Sequence, residues 1–161
     1  MISLDFLEKV DLFQDLDDER LTAVQGCCEE VEYRRGEKLF GAGEEASNLW
    51  IVLDGQVGLQ EKESGDASSA GDKPLSSLSE AGVFGWSSLA PPYRYTLSAF
   101  CDSRRCRVIK VGRDCLTGLF EKDPKLGYEV MKKLLSIIGQ RFELLQEEVA
   151  KRRGEELMNR W

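Results

Sequence analysis

The residues of this chain best suited to chemistry fall in one run, Val83-Phe84-Gly85-Trp86-Ser87-Ser88-Leu89-Ala90-Pro91-Pro92-Tyr93-Arg94-Tyr95-Thr96. It reads as Phe-Gly, a turn of small residues, Leu-Ala, and then an arginine entering a strand, an order that suits a loop built around an anion. Gly85 permits positive φ and a close approach of backbone to ligand. Ser87 and Ser88 are expected to open a single helical turn whose free N–H groups point outward. Arg94 supplies a planar, permanently charged fork for phosphate or carboxylate. The alternative is a Gly-Ser-Pro loop between strands with a solvated arginine. The candidate ligand-binding residues are Phe84, Gly85, Trp86, Ser87, Ser88, Leu89, Ala90, Tyr93, Arg94, Tyr95 and Thr96. Among them Trp86, Tyr93 and Tyr95 either fill the pocket or stack on a flat ligand.

Other chemistry is sparse. The chain has no histidine, which removes Ser-His-Asp and Cys-His catalysis and the commonest metal ligand together. No catalytic residue, no metal and no enzymatic activity are expected. The five cysteines, Cys27, Cys28, Cys101, Cys106 and Cys115, show neither a Cys-x-x-Cys motif nor zinc spacing. Most are expected to be free thiols, some buried as small hydrophobes. Cys101 and Cys106 flank Asp102-Ser103-Arg104-Arg105 and are candidates to face each other across a hairpin. Basic neighbours there would lower a thiol pKa, so these two, with Cys115 as a third candidate, form a redox alternative.

The elements that position these residues follow from the rest of the chain. Its 161 residues, 42% hydrophobic and 32% charged, allow one domain with a proper core and one long extra element. A net charge of −7 repels nucleic acid, and the basic runs Arg104-Arg105-Cys106-Arg107 and Lys151-Arg152-Arg153 are short. No apolar run has bilayer length and Met1-Ile2-Ser3-Leu4-Asp5 is no signal peptide, so a cytoplasmic location without membrane contact is expected.

Asp17 is placed to cap a helix through Leu21 and Val24 that ends near Gly26. Short β-prone runs follow: Val31–Tyr33, Lys38–Phe40, Leu49–Leu53 and Gln56–Gln60, divided by glycine turns. Asp54-Gly55 between two of them is a two-residue hairpin signal. Residues 63–73 read as a flexible loop, and strands resume at Leu75–Leu78, Tyr95–Cys101 and Cys106–Val111. The pattern predicts a mainly β fold, a small antiparallel barrel or jelly roll, with short N-terminal helices and a long C-terminal helix.

That helix starts at Asp123-Pro124, an Asp cap followed by proline at the first helical position. The barrel and N-terminal helices occupy 1–122 and the helix 123–161, both within one domain. Met131, Leu135, Ile138, Phe142, Leu145 and Val149 recur in steps of four and three, nearly three heptads of a coiled-coil seam. Val130, Leu134, Ile137 and Leu144 form a second stripe. One stripe packs on the barrel; the other needs a partner, which predicts a homodimer through this helix. Burial of both stripes within one domain is the alternative.

This order of elements resembles the cyclic nucleotide-binding domain family, the sensor half of Crp-Fnr regulators such as the catabolite activator protein. The resemblance rests on Leu12-Phe13-Gln14-Asp15-Leu16, Tyr33-Arg34-Arg35-Gly36-Glu37, Gly43-Glu44-Glu45, Leu49 to Val57, Gly82-Val83-Phe84-Gly85 and Ala99, and spans about Leu12 to Val149. It implies a double-stranded β-helix barrel and a ligand loop of the form Phe-Gly-Glu…Leu-Ala…Arg-(Ser/Thr)-Ala-Thr, in which Glu takes the ribose hydroxyl and Arg the cyclic phosphate. Here Trp86 stands at the Glu position and cannot accept a hydrogen bond. Counted back from Ala99, the Arg position falls on Tyr93, with Arg94 one place late; a one-residue shift on a strand reverses the face. Losing the carboxylate costs about 1–3 kcal/mol, tenfold to a hundredfold in affinity. No cofactor is expected, and a cyclic nucleotide or another phosphate-containing molecule is the candidate ligand. Because the chain stops at Trp161 without a DNA-reading module, the expectation is a stand-alone regulatory sensor without direct DNA contact. The anion would dock at Gly85–Ala90, Arg94 would neutralise it, and a hinge at Gly118–Asp123 would carry the change to the long helix. The rivals are a ligand-free interaction protein on the same fold and a cysteine-based redox sensor.

Overall fold

The computed structural model describes residues 2–61 and 76–159. The loop read at 63–73, Leu75, and the helix beyond Asn159 lie outside these residues. Polar caps set the first helices. Ser3 Oγ accepts the Phe6 N–H at 3.1 Å to start α1 (Leu4–Lys9), and Asp17 Oδ1 accepts the Arg20 N–H at 2.9 Å to start α2 (Asp18–Gln25). A 3₁₀ turn, Asp11–Phe13, lies between them.

Eight strands follow: β1 (Cys28–Arg34), β2 (Lys38–Phe40), β3 (Asn48–Asp54), β4 (Val57–Gln60), β5 (Ser76–Leu78), β6 (Val83–Phe84), β7 (Ser98–Cys101) and β8 (Arg105–Gly112). They form two four-stranded antiparallel sheets in jelly-roll arrangement, ordered β1-β8-β3-β6 and β2-β7-β4-β5. The central strands of the first sheet, β3 and β8, are buried on both faces, while its edge strand β1 is mostly exposed. In β3, Trp50 and Val52 enter the core between the sheets, while Leu49 and Ile51 join the helices on the other face; β8 repeats this with Cys106 and Val108 against Ile109 and Val111. Two-sided burial with a side-chain period of two is why Leu49–Leu53 reads as an unbroken apolar run.

Two turns differ from the expectation. Asp54-Gly55 does not close a hairpin, because β3 and β4 belong to different sheets; the chain turns a corner between layers. Only Gly55 takes positive φ, +88°, and Asp54 stays in β3. Likewise β7 and β8 are not paired, so Asp102–Arg104 joins the two sheets rather than a two-stranded hairpin.

The expected hinge at Gly118–Asp123 is instead mostly the second half of a helix, α3 (Arg113–Lys122). Asp123 then separates α3 from α4 (Pro124–Asn159), a helix of 36 residues. The Asp123 carboxylate serves both sides of the junction: Oδ1 accepts the Leu126 N–H at 3.3 Å and Oδ2 accepts from Arg20 Nε at 2.8 Å. Hydrogen bonding to Arg20 holds this carboxyl below its ordinary pKa. Leu126, Val130 and Leu134 of α4 are buried among Leu7, Leu12, Phe13 and Leu116, with Ile137 and Ile138 packed beside them. No described helix is long and apolar enough to cross a membrane.

The layer-crossing corner yields a first prediction. A Cβ at Gly55 would lie 2.5 Å from the Arg105 carbonyl oxygen. Gly55→Ala is therefore expected to cost at least about 1–2 kcal/mol, the price of left-handed backbone alone, read as a lower urea midpoint. An unchanged midpoint would refute this account of the corner.

Candidate ligand-binding site

The 83–96 segment begins as β6 on the edge of the first sheet and turns at Gly85 into a 3₁₀ helix, Trp86–Leu89. Gly85 has φ +74°, and a Cβ there would lie 2.7 Å from Trp50 Cδ1, so the backbone rests directly on an aromatic cluster. The helical turn is present, but the Ser88 N–H bonds to the Gly85 carbonyl and the Ala90 N–H to the Ser87 carbonyl. Those two amides are used within the turn. Ser88 is fully buried, and its Oγ has no hydrogen-bond partner among the described residues.

Inside the sandwich Phe40, Trp50, Phe84 and Tyr95 form one aromatic cluster, mostly stacked, with Phe40 and Trp50 tilted at 46°. The Phe40 and Tyr95 rings stack at 3.7 Å and 16°, and Trp50 and Phe84 at 6.0 Å and 23°. One hydroxyl organises the group: Tyr95 Oη accepts from Trp50 Nε1 at 3.0 Å and donates to the Asn48 carbonyl at 2.9 Å. Burial raises the Tyr95 phenol above its ordinary pKa, so it remains a neutral donor. Of the aromatics considered as filling, Tyr95 does so; Trp86 packs toward the helices, and Tyr93 lies outside at 40% exposure.

The arginine lies outside the sandwich. Tyr95 is buried, whereas Arg94, an isolated bridge partner of Glu45 outside the strands, is exposed and donates from Nη1 to the Gly43 carbonyl at 2.9 Å. Tyr93 lies beneath the Arg113 guanidinium at 4.9 Å, and Arg113 reaches the Ala46 carbonyl at 3.1 Å. Tyr93 and Arg94 thus lace the 43–46 strap to the barrel exterior.

Beside the aromatic cluster is a cavity of about 40 Å³. Phe84, Gly85, Trp86, Ser87, Tyr95 and Thr96 line it, as do Phe40, Leu59, Leu97 and Arg141; Ser88, Leu89, Ala90, Tyr93 and Arg94 do not. Its cation therefore comes from α4. Arg141 is half-buried and donates from Nη2 to the Val83 carbonyl at 2.5 Å. Burial pushes its pKa down, and among the described residues its one hydrogen-bond acceptor is the neutral Val83 carbonyl, although a guanidinium carries five N–H donors. A desolvated cation so placed favours an anion. The sequence does carry the signal: Arg141 follows Leu134 and Ile137 at spacings of seven and four on the barrel-facing stripe.

As expected, most of the cysteines (Cys28, Cys101 and Cys106) are free, and Cys101 and Cys106 are buried; Cys115, a third redox candidate, is instead bonded to Cys27 in a disulfide. Cys101 and Cys106 do adjoin each other, but burial, reinforced by the Cys101 contact, pushes the Cys106 thiol up to about 12 rather than down. The nearby basic side chains point outward: Arg107 pairs with Glu30 at 3.1 Å and Arg105 with Glu32 at 3.6 Å. Of the proposed dimer seam, Met131, Leu135, Phe142, Leu145 and Val149 are exposed, Leu135 at 72%, whereas Ile138 turns to the core; Leu144 of the second stripe is exposed beyond the barrel.

A family model of the cyclic nucleotide-binding domain matches residues 30–123. A protein of Geobacter metallireducens described as a cyclic nucleotide-binding protein is 30% identical, with a TM-score of 0.74 over 88% of this chain and 99% of that one. A cyclic nucleotide-binding domain from Methylobacillus flagellatus has a TM-score of 0.74 at 21% identity, over 92% of this chain and 81% of that one. The Thermus thermophilus catabolite activator protein shares the fold at 21% identity and a TM-score of 0.69, over 86% of this chain and 61% of that one. No curated protein matches the chain in sequence.

Tyr95→Phe keeps the ring stack and deletes only the hydroxyl, leaving Trp50 Nε1 without its partner. The expected loss is about 1–3 kcal/mol of stability, measured by thermal or urea unfolding. A variant as stable as the parent would show that the hydroxyl does not organise the cluster.

Proposed function

The chain belongs to the cyclic nucleotide-binding domain family, and from that premise we propose that it is a non-enzymatic cytoplasmic regulatory domain. In this reading it takes a small anionic ligand at the 83–96 segment and signals through α4. One observation carries it: Arg141 of α4 lines the cavity and is anchored on Val83. An anion that pairs with Arg141 acts on the signalling helix directly, with no hinge needed between site and helix. Such a ligand shifts the helix only by the difference between its affinities for the two arrangements.

The size of the cavity bears on the ligand. About 40 Å³ is room for about three waters, far below the ~300 Å³ at which small-molecule pockets begin. A phosphate- or carboxylate-sized anion suits that space. A whole cyclic nucleotide requires the Phe40–Tyr95 stack to part. The aromatic filling equally favours a second reading, an interaction domain of the same fold that works without a ligand.

A thermal-shift series separates them, using inorganic phosphate, cAMP and cGMP against the parent chain, Arg141→Gln and Arg94→Ala. The expected stabilisation is about 2–3 kcal/mol at a hundredfold excess over Kd, lost in Arg141→Gln and kept in Arg94→Ala. A flat response throughout supports the ligand-free reading. Loss in Arg94→Ala alone would return the anion to the outer face.

The readout side of the proposal is a homodimer through Met131, Leu135, Phe142, Leu145 and Val149, whose exposure leaves an apolar face along α4. Sedimentation of the parent chain is expected to give a dimer, and of the double variant Leu135→Glu/Leu145→Glu a folded monomer. A monomeric parent would overturn this part.

A further inference from the structure

Cys27, between α2 and β1, is bonded to Cys115 in the first turn of α3, across a sequence separation of 88. The other end of α3 is tied to α2 itself by different chemistry, through the 2.8 Å Arg20–Asp123 ion pair. α3 is thus held at one end by the segment that follows α2 and at the other by α2, and among the described residues it is the only element between the last barrel strand and α4. Its far end also sets the start of α4: Asp123 caps that helix, and Gly127 packs so closely on Phe120 that a Cβ would lie 3.0 Å away.

The two sulfurs differ in access. Cys115 is exposed, whereas Cys27 is half-buried against the helical core. The neighbouring thiol is not a competitor. Cys28 donates to the Val24 carbonyl at 3.3 Å, and burial pushes it up to about 12. Opening the bond leaves α3 docked through buried Leu116, the Phe120–Gly127 contact and the Arg20–Asp123 pair.

We propose that Cys27–Cys115 is a thiol–disulfide exchange site, opened by a dithiol reductant and closed by a disulfide oxidant, that sets how firmly α3 holds the start of α4. A thiolate of the dithiol attacks Cys115 Sγ, the exposed partner. The S–S electron pair leaves on Cys27 Sγ, which takes up a proton. The second thiol of the reductant then attacks the mixed disulfide and releases Cys115, also protonated, as the reductant closes to a cyclic disulfide. Two electrons and two protons pass to the protein. The position of Cys115 in the first turn of a ten-residue helix favours its departure as thiolate. The exchange is independent of any ligand at the 83–96 segment.

The test equilibrates the full chain in mixtures of reduced and oxidised dithiothreitol and then alkylates it. Mass spectrometry reads each cysteine, and hydrogen exchange reads each helix. Cys27 and Cys115 are expected to become labelled together as one two-electron couple, while Cys28, Cys101 and Cys106 stay unlabelled. Reduction is expected to raise amide exchange at least tenfold across 113–122 and the first two turns of α4, to leave the strands unchanged, and to reverse on reoxidation. Cys115→Ser should reproduce the reduced pattern under oxidising conditions; Cys27→Ser opens the same bond from the other side if the first variant does not fold. Labelling of both cysteines in the oxidised chain, unchanged exchange in α3 on reduction, or unfolding of the whole domain would each overturn the proposal.

Discussion

The inward stack of Phe40 on Tyr95, fixed by the Tyr95 hydroxyl between Trp50 and Asn48, governs the rest of the site. Tyr95 faces the core while the neighbouring Arg94 stays exposed and bonded to the Gly43 carbonyl, so Arg94 supplies no charge to the sandwich interior. Filling the interior with four rings also shrinks the space beside Gly85 to about 40 Å³. What polar character that space has comes from Ser87, Thr96 and Arg141. Barrel packing and site chemistry are therefore one constraint seen from two sides.

The same constraint explains the division of labour along α4. Its first half must cover the apolar face of the β1-β8-β3-β6 sheet, which is why Leu126, Val130 and Leu134 are buried. Arg141 continues that stripe at the point where the sheet ends and the 83–96 segment begins, so the change from leucine to arginine marks a change of surface beneath the helix. Beyond it the helix leaves the barrel and its apolar residues face solvent.

Much of this was legible in the chain because local chemistry dictates it. Asp17 and Asp123-Pro124 announce helix starts, Gly85 a left-handed turn, and the continuous Leu49–Leu53 run a doubly buried strand. Less was legible where three-dimensional placement decides. Asp54-Gly55 has hairpin chemistry, yet the corner between layers uses the same positive φ at Gly55, so the dipeptide does not distinguish them. Arg113–Lys122 begins without a capping side chain, so nothing local announces α3. Cys27 and Cys115 meet only because α2 and α3 pack together, which spacing does not reveal. The expected low thiol pKa failed since burial outweighs basic neighbours that point away. Arg94 is the arginine nearest the loop in sequence, whereas Arg141 is the one that lines its cavity.

The length of α4 has a mechanical consequence. At 36 residues and 1.5 Å per residue it is about 54 Å long, while only the part up to Arg141 rests on the barrel. Its packed half, up to Arg141, is a fixed base, and the 18 residues from Phe142 to Asn159 are a free arm about 27 Å long. A bend of about 10° where the arm leaves the barrel sweeps its tip through roughly 5 Å over that length, as far as one helical turn, with no need for the barrel itself to deform.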